Sequence, residues 1–391
     1  MIRDWDVVVI GLGGFGSAAT YWLSRRFRDR VLGLEQFELG HVRGASQDHS
    51  RIIRLSYHRP DYVRLARRAY ESWGIVEGEA GVQIVTRTGG LDLFPARGAI
   101  PEADYAESMA AEGVSFDRLD AAEAMRRWPQ WRLDHDTIVV HQAESGLADP
   151  NRGNAAHRRQ AVANGATLQD RTRVVALRGS GGDIEIETEA GDRIETGHVV
   201  IAADAWTNPL LRAFDRQLPL AVTKEQVTYI ASPDPSAFSP ERFPIWIWMD
   251  DPCYYGFPTY GEPGPKVAQD VGGELVDPDT RDFDRDDAAF ERAMSFVERR
   301  LPTMTGPPLL TKTCLYTLTP DRDFVLDRLP DEPRVHVALG AAHGFKFASL
   351  FGRILAERIA DGSSPSDPDL ERFRIDRPIL LERDPATSYM V

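Results

Sequence analysis

The first 35 residues combine a strand pattern, a glycine-rich turn, a helix pattern and a second strand pattern. Asp6 to Ile10 reads DVVVI, an apolar run typical of a strand buried on both faces of a parallel sheet. Ser17 to Phe27 carries apolar residues at helical spacing, and Arg30 to Leu34 is again strand-like. The pattern predicts a βαβ unit at the start of the chain.

The turn in this unit has the spacing G-x-G-x-x-G, formed by Gly11, Gly13 and Gly16. Glycines in this arrangement permit a tight turn, close approach of backbone amides to a pyrophosphate, and close packing of helix on strand. Glu35 ends the second strand, where a carboxylate can accept hydrogen bonds from a ribose diol. The sequence therefore predicts a dinucleotide site for FAD or NAD, and the motif does not separate these two.

A second region of helix and strand patterns begins near residue 150. A helix is predicted from Asn151 to Asn164 and a strand from Arg173 to Leu177. Alternating apolar residues on both sides of Ala190-Gly191-Asp192 predict a β-hairpin, followed by a buried strand from Val199 to Ala203. The hairpin strands carry Ile184, Ile186 and Ile194.

Between residues 216 and 320, aromatic residues, prolines and alternating patterns dominate, which predicts an antiparallel sheet around a pocket. A strand from Val335 to Leu339 and a helix from Phe347 to Ala360 then follow. We predict an α/β protein in which a Rossmann-type domain is interrupted by a mostly antiparallel β substrate domain. The expected segments are 1–85, 146–215 and 321–391 for the nucleotide domain, and 86–145 and 216–320 for the substrate domain.

Charge and composition narrow the class of protein. A net charge of −14 argues against a nucleic-acid partner, and no stretch approaches the ~20 apolar residues of a membrane span. The two cysteines, Cys253 and Cys314, are too few and too far apart for a disulfide framework. The mixed charges of residues 1–6 do not resemble a signal peptide, and residues 388–391 match no targeting tripeptide. We expect a cytoplasmic protein.

Arg43 to Arg54 reads RGASQDHSRIIR and is followed by Tyr62 and Trp73. This segment resembles the R-G-S-S-x-x-x-S-R-I-I-R segment of the monomeric sarcosine oxidase family, within the D-amino-acid-oxidase-like superfamily. That family includes N-methyltryptophan oxidase, pipecolate oxidase and, more distantly, the fructosyl-amino-acid oxidases. The resemblance continues in order through Thr88–Leu91, Ser145–Gly146, Ala202–Trp206, Tyr254–Pro258, Cys314–Thr317, Asp323–Asp327 and Gly344–Phe347.

The resemblance implies FAD, held in the Rossmann-type domain and attached through a thioether from Cys314. Packing as a small buried hydrophobe is the alternative for Cys314 and the expected role of Cys253. Arg54 and Lys346 match two cations that grip a substrate carboxylate, a geometry that aims the Cα–H at the flavin. Lys266 matches a lysine that assists oxygen reduction, where a fixed positive charge stabilises developing superoxide.

Further matches extend the site. Arg51 matches an arginine near the flavin ring. Tyr255 and Tyr316 match aromatics that shape the amine pocket, with Tyr316 grouped with the catalytic residues, and packing in the buried core is the alternative for both. Gln47 and Asp270 stand where the family often has histidine, and a carboxylate at Asp270 suits a larger or more basic amine than sarcosine. A further departure is Asp204, which replaces a glycine. Additional cofactor contacts are expected from Ser46, Val174, Gly344 and Lys346.

The reaction that the resemblance implies is oxidation of the secondary amine of an amino acid to an imine. The substrate would be a sarcosine-like, N-methyl, cyclic or N-substituted amino acid, and oxygen would become hydrogen peroxide. An amine dehydrogenase and a tailoring oxidase for a larger or carrier-bound amine are alternatives. From another class, a non-catalytic FAD-binding protein is the alternative. We expect a monomer without a metal.

Overall fold

The computed structural model describes residues 5–180 and 182–388. Its strands within these ranges are β1 (Trp5–Ile10), β2 (Val31–Leu34), β3 (Arg51–Ile53), β4 (Val85–Arg87), β5 (Gly90–Phe94), β6 (Asp117–Asp120), β7 (Ile138–Gln142), β8 (Gly146–Ala148), β9 (Thr167–Gln169), β10 (Val174–Ser180), β11 (Asp183–Thr188), β12 (Arg193–Ile201), β13 (Ala221–Ile230), β14 (Ile245–Trp248), β15 (Cys253–Phe257), β16 (Lys266–Asp270), β17 (Glu274–Leu275), β18 (Pro308–Leu318), β19 (Val325–Arg328) and β20 (Val335–Leu339).

The helices in the same ranges are α1 (Gly14–Phe27), α2 (Pro60–Ala80), α3 (Glu102–Ala111), α4 (Ala121–Arg127), α5 (Pro150–Ala163), α6 (Thr207–Leu211), α7 (Asp287–Arg300), α8 (Ala348–Asp361) and α9 (Pro378–Leu381). Short 3₁₀ turns lie at Arg28–Arg30, Asp204–Trp206, Arg212–Phe214, Pro235–Phe238, Phe345–Phe347, Asp367–Asp369 and Glu371–Phe373. None of the helices in the described part of the chain is long and apolar enough to cross a membrane.

The first sheet contains the predicted βαβ unit. Its parallel strands run in the order β20-β12-β1-β2-β9, while the hairpin β10–β11 and strand β19 join antiparallel. Val7, Val8 and Val9 of β1 are fully buried, because helices and loops cover both faces of this strand. The predictions of a strand over 6–10 and of an α/β fold are confirmed.

One prediction within this sheet is wrong in detail. The pattern separated a hairpin strand at Ile194 from a buried strand over 199–203, but both belong to the single strand β12, which ends at Ile201. The first half of β12 pairs antiparallel with β11 and the second half pairs parallel with β20, while β1 runs along its other side. These pairings hold the polar stretch 195–198 in strand conformation, so it does not break the strand.

The second sheet is mostly antiparallel, as predicted. Its order is β17-β13-β16-β15-β14-β5-β7-β6. Strand β18 also pairs with β13, antiparallel and along its whole length. β14 and β5 are the parallel exception. These two strands come from the two separate segments expected for the substrate domain, and their pairing joins the segments in one sheet.

Close helix packing brings the dinucleotide turn and the end of the chain together. Helix α1 packs between α5 and α8. A Cβ on Gly352 of α8 would lie 2.5 Å from the carbonyl carbon of Ala18, so only glycine permits this approach. The helix predicted over 347–360 is α8, which begins one residue later, after the 3₁₀ turn Phe345–Phe347. That turn carries Lys346 to the cavity described next.

Candidate active site

A cavity of about 570 Å³ runs along the carboxyl ends of the parallel strands and on to the face of the antiparallel sheet. One end is lined by the glycine turn and Glu35, and the other by buried charged and aromatic side chains. Twelve predicted site residues line it: Gly11, Gly13, Glu35, Ser46, Arg51, Arg54, Val174, Tyr255, Asp270, Tyr316, Gly344 and Lys346. The other predicted site residues, Gly16, Gln47, Lys266 and Cys314, are not part of the lining.

The geometry of the turn suits a dinucleotide. Gly11 has φ +90°, and a Cβ there would lie 2.6 Å from the Ala202 carbonyl oxygen. A Cβ on Gly16 would lie 1.6 Å from the Gly11 oxygen, which no side chain can occupy. The amino end of α1 lines the cavity through Gly14 and Phe15, with the Ser46 hydroxyl on the Gly14 amide. This is the cradle that a pyrophosphate requires.

Polar groups around the turn are held in place by long-range contacts. Glu35 accepts hydrogen bonds from the Leu12 N–H at 2.8 Å and the Phe37 N–H at 3.1 Å. Burial favours the protonated acid, but the His41 and backbone contacts outweigh it and lower the pKa of Glu35. Ser46 Oγ accepts from the Gly14 N–H at 2.9 Å. The carboxylate thus stays ionised at the edge of the cavity, where a ribose could donate to it.

At the other end of the cavity, Arg54 forms a buried ion pair. Its guanidinium donates to Asp92 Oδ1 at 2.9 Å, and both side chains are about 4% exposed. The guanidinium also lies over the rings of Tyr57 and Tyr105, at 4.9 and 5.7 Å. Its Nε has no hydrogen-bond partner among the described residues. Arg54 is therefore fixed in orientation, with donor capacity left for a ligand.

Lys346 lies near Arg54 in the same end of the cavity. Its backbone oxygen accepts from Trp73 Nε1 at 2.9 Å, and its ammonium is 5.6 Å from the centroid of the Tyr57 ring. Burial lowers the pKa of Lys346 to about 7, and the charge of Arg54 adds to this effect while Asp270 opposes it. A carboxylate placed between Lys346 and Arg54 would favour the protonated lysine.

A group of residues between the loop 44–50 and strand β18 forms the side wall. Arg51 donates to the Ser50, Ala45 and Gln47 oxygens at 2.9, 2.8 and 2.7 Å. Gln47 in turn donates to the Thr313 oxygen at 2.8 Å, so its amide is engaged with β18 and not with the cavity. These contacts fix the Arg51 side chain, which does reach the cavity.

Cys314 and Tyr316 project from the same face of β18, because side chains alternate along a strand. The hydroxyls of Tyr316 and Tyr255 lie 3.2 Å apart. Burial raises the pKa of both phenols, so they remain neutral. Burial also raises the pKa of the Cys314 thiol to about 11, although the positive charge of Arg51 opposes it. Cys253, unlike Cys314, lines the cavity.

Lys266 lies behind the cavity wall and not in its lining. Its ammonium donates to Asp48 Oδ2 at 2.9 Å and to the Ser50 oxygen at 3.0 Å. It is also 4.3 Å from the centroid of the Phe257 ring. Since Ser50 and Phe257 both line the cavity, the charge of Lys266 is separated from the cavity by a single layer of residues.

Several charged residues of the site were not singled out from the sequence. Asp270, expected to face a cationic substrate group, accepts from both terminal nitrogens of Arg322 at 3.3 Å. Arg322 is itself 1% exposed and lines the cavity. Asp92 had a signal, since it is a lone acid inside the apolar run of β5, and such an acid needs a buried partner. Arg322 stands in a charged stretch with no such signal.

Asp204, noted as a departure from the family, also lines the cavity. Its backbone has φ +46°, a conformation that glycine adopts without strain. Burial raises the pKa of its carboxyl to about 6. No group of histidine, cysteine and acidic residues suited to a metal ion is found in the residues that the structure describes.

The fold and the glycine turn are those of a dinucleotide-binding protein whose cavity ends in buried, charged side chains. Comparison with known proteins agrees: residues 6–358 match the model of the family described as FAD dependent oxidoreductase, and the chain belongs to this family. The resemblance seen in the sequence is confirmed.

Relatives and solved structures cover nearly the full chain. Monomeric sarcosine oxidase of Streptomyces avermitilis is 35% identical over 93% of this chain and 96% of its own length. Peroxisomal sarcosine oxidase of Homo sapiens is 32% identical, with 95% and 96% covered. The structure of NikD, an unusual amino acid oxidase essential for nikkomycin biosynthesis, superposes with a TM-score of 0.85 at 26% identity, covering 98% of this chain and all of that one.

Proposed function

We propose that the protein oxidises the secondary amine of a small amino acid to an imine, with FAD as cofactor and oxygen as electron acceptor. The observation that carries this proposal is the pair Arg54 and Lys346, both buried at the far end of the cavity that begins at the dinucleotide turn. A protein that only bound FAD would not need two cations there, since burying them costs free energy. The names of the relatives support the same reaction.

FAD would be held by the cradle of Gly11, Gly13 and Gly16, with Glu35 on the ribose. Bound there, it supplies a two-electron acceptor for the carbon next to the amine. Further contacts are proposed from Ser46, Arg51, Val174, Gly344 and Lys346.

Arg54 and Lys346 would hold the substrate carboxylate. Asp92 fixes the orientation of Arg54, and the rings of Tyr57 and Tyr105 limit its movement. A carboxylate bound by two cations restricts the orientations of the amine end, which raises the fraction of bound substrate in a reactive geometry. Because both cations are buried, a free amino acid suits the site better than an amine attached to a carrier.

The amine would lie toward Tyr255, Tyr316 and the Asp270–Arg322 pair. Since Asp270 already has a cationic partner within the protein, it offers little to a second cation. With Lys346 protonated, the charges of Arg54, Arg322 and Lys346 against those of Asp92 and Asp270 leave an excess of one positive charge. That excess matches an amino acid with an ionised carboxylate and an unprotonated amine, the form that can lose hydride.

An anaerobic titration tests this function. Purified protein is mixed with sarcosine, L-proline, L-pipecolate, N-methyl amino acids and a fructosyl amino acid, and bleaching of the flavin absorbance is recorded. We expect bleaching by at least one of them and none by its methyl ester, which lacks the carboxylate. When air is then readmitted, the oxygen consumed and the hydrogen peroxide formed should match one to one. A flavin that none of the amino acids bleaches would refute the proposal, and bleaching by the ester alone would point to a larger or carrier-bound amine.

We further propose that Cys314 forms a covalent bond to the flavin. Its position on the same face of β18 as Tyr316, which lines the cavity, supports this, and the nearby charge of Arg51 offsets part of the effect by which burial raises the pKa of the thiol. Denaturing gel electrophoresis should show flavin fluorescence on the wild-type band and on Cys253→Ala, but none on Cys314→Ala. Fluorescence that stays on Cys314→Ala would exclude this residue as the attachment site.

The domain organisation is a proposal as well. The FAD-binding domain would comprise 1–85, 146–215 and 321–391, and the substrate domain 86–145 and 216–320. The pairing of β5 with β14 supports the second assignment. The net charge and the two free cysteines support a cytoplasmic monomer. Light scattering after size-exclusion chromatography would test the monomer.

A further inference from the structure

Asp48 occupies a backbone position that suits glycine. Its φ is +82°, in the left-handed region that side chains other than those of asparagine and aspartate rarely adopt. Its side chain is nevertheless buried, with 6% of the residue exposed. A strained, buried acid persists only when surrounding contacts hold it, and such residues concentrate at functional sites.

The contacts of Asp48 come from three strands. Lys266 of β16 donates to Oδ2 at 2.9 Å, and Lys312 of β18 donates to Oδ1 at 3.0 Å. The hydroxyl of Tyr229, in β13, donates to Oδ1 at 2.7 Å. The carboxylate therefore ties the loop 44–50 to the antiparallel sheet, and two of its three partners, Lys266 and Tyr229, are each only 1% exposed.

The charges of this pair depend on each other. Burial favours the neutral form of Lys266 and lowers its pKa to about 8, although Asp48 opposes this effect. Burial also favours the protonated form of Asp48, but the charges of Lys266 and Arg51 hold the pKa of its carboxyl well below the usual range. Without the carboxylate, a lysine that is 1% exposed would have little reason to keep its proton at neutral pH.

We propose that Asp48 is a positioning residue that keeps Lys266 charged and fixed directly behind the cavity wall, and that it thereby sets the rate at which the reduced protein reacts with oxygen. This inference rests on the proposed role of Lys266 in the oxygen reaction. Asp48 itself does not line the cavity, so it acts through the lysine. Other ionisable or charged groups packed around the pair are Tyr229, Lys312, Glu262, His49, Arg51 and Cys314.

The experiment compares Asp48→Asn, Asp48→Gly and Lys266→Met with the wild type. Asparagine tolerates the left-handed backbone and keeps hydrogen bonding but removes the charge, while glycine relieves the strain and so guards against misfolding. Each holoprotein is reduced with dithionite, and the rates of reoxidation by oxygen and by ferricenium are measured from pH 6 to 9. The ratio of the two rates separates the oxygen reaction from a general disturbance of the flavin.

We expect both Asp48 variants to lose about tenfold or more in this ratio at pH 7.5, because the positive charge is lost. The pH above which the ratio falls should move below that of the wild type. In the Lys266→Met background, Asp48→Asn should have no further effect. An Asp48→Asn or Asp48→Gly protein with the wild-type ratio and pH profile would overturn the inference, as would an equal loss in both backgrounds.

A spectroscopic titration gives a second measurement that does not depend on turnover. The absorbance of the oxidised flavin is recorded over the same pH range, and the transition that vanishes in Lys266→Met is assigned to Lys266. It should lie near pH 8 in the wild type and lower in Asp48→Asn. An unmoved transition would contradict the inference. Dithionite, and not the amine, reduces the flavin, so both measurements remain valid even if the protein does not oxidise amines. A Lys266→Met protein with the wild-type ratio would instead refute the role of Lys266 in the oxygen reaction, and with it this inference.

Discussion

The dinucleotide turn and the charged end of the cavity are defined by different features of the chain. At the turn, Gly11 and Gly16 are required by the backbone oxygens of Ala202 and Gly11, which an added Cβ would meet, and the glycines of the motif lie within one short segment. At the charged end, Arg54, Asp92 and Lys346 come from distant parts of the chain and are held by one another. The turn depends on the absence of side chains, and the charged end depends on pairs of them.

This difference predicts how each region fails. A side chain added in the turn would occupy space that both the helix and the cofactor need, so we expect stability and FAD binding to be lost together. A change at the charged end can be compensated by its partner, which allows stability and function to be separated.

The largest effect is expected from Gly16→Ala. The added Cβ would lie 1.6 Å from the Gly11 oxygen, so α1 must move away from the turn. We expect no bound FAD and a loss of about 3 kcal/mol or more in the free energy of unfolding. Flavin content and thermal unfolding measure both. Gly74→Ala in the exposed part of α2 is the matched control, since no atom lies within 4 Å of its added Cβ, and it should stabilise the helix by about 1 kcal/mol. An FAD-loaded Gly16→Ala protein of normal stability would contradict the comparison.

A smaller, separable effect is expected from Arg54→Gln. Loss of a charged hydrogen bond to the carboxylate should lower kcat/KM by about 10- to 100-fold. The same change leaves Asp92 buried without its cation, which should cost about 3–5 kcal/mol of unfolding free energy. The double variant Arg54→Gln with Asp92→Asn should recover much of the stability and none of the activity. Kinetics and chemical denaturation measure activity and stability separately. Recovery of both in the double variant would show that Arg54 serves the fold alone.

The smallest effect is a pH dependence of ligand binding that comes from Lys346. Its pKa of about 7 means that it carries its charge below neutral pH and loses it above. A carboxylate binds the charged form, so the dissociation constant of an amine-free monocarboxylate such as propionate should rise above pH 7, by up to about tenfold per pH unit. Spectral titration of the flavin gives the constant at each pH. Lys346→Met should bind more weakly and lose this dependence, and the same slope in both proteins would assign it to another group.

The local patterns of the chain were sufficient for β1, α1, β2 and the hairpin, because each is decided by periodicity and by turn residues within a few positions. The strand that the sequence divided, β12, shows the limit of this reasoning. Its polar middle looks like a break, and only the ladders with β1, β11 and β20 hold it extended.

The sequence alone determined the glycine turn, Glu35 and the order of motifs that places this chain among FAD-dependent oxidoreductases. These features are local, or they are read from a linear order of residues. Tertiary structure alone decided the partners of the charged side chains: Asp92 for Arg54, Arg322 for Asp270 and Asp48 for Lys266. A charge in a sequence does not indicate whether it will be buried, whereas a buried charge requires a partner that only the folded chain can bring to it.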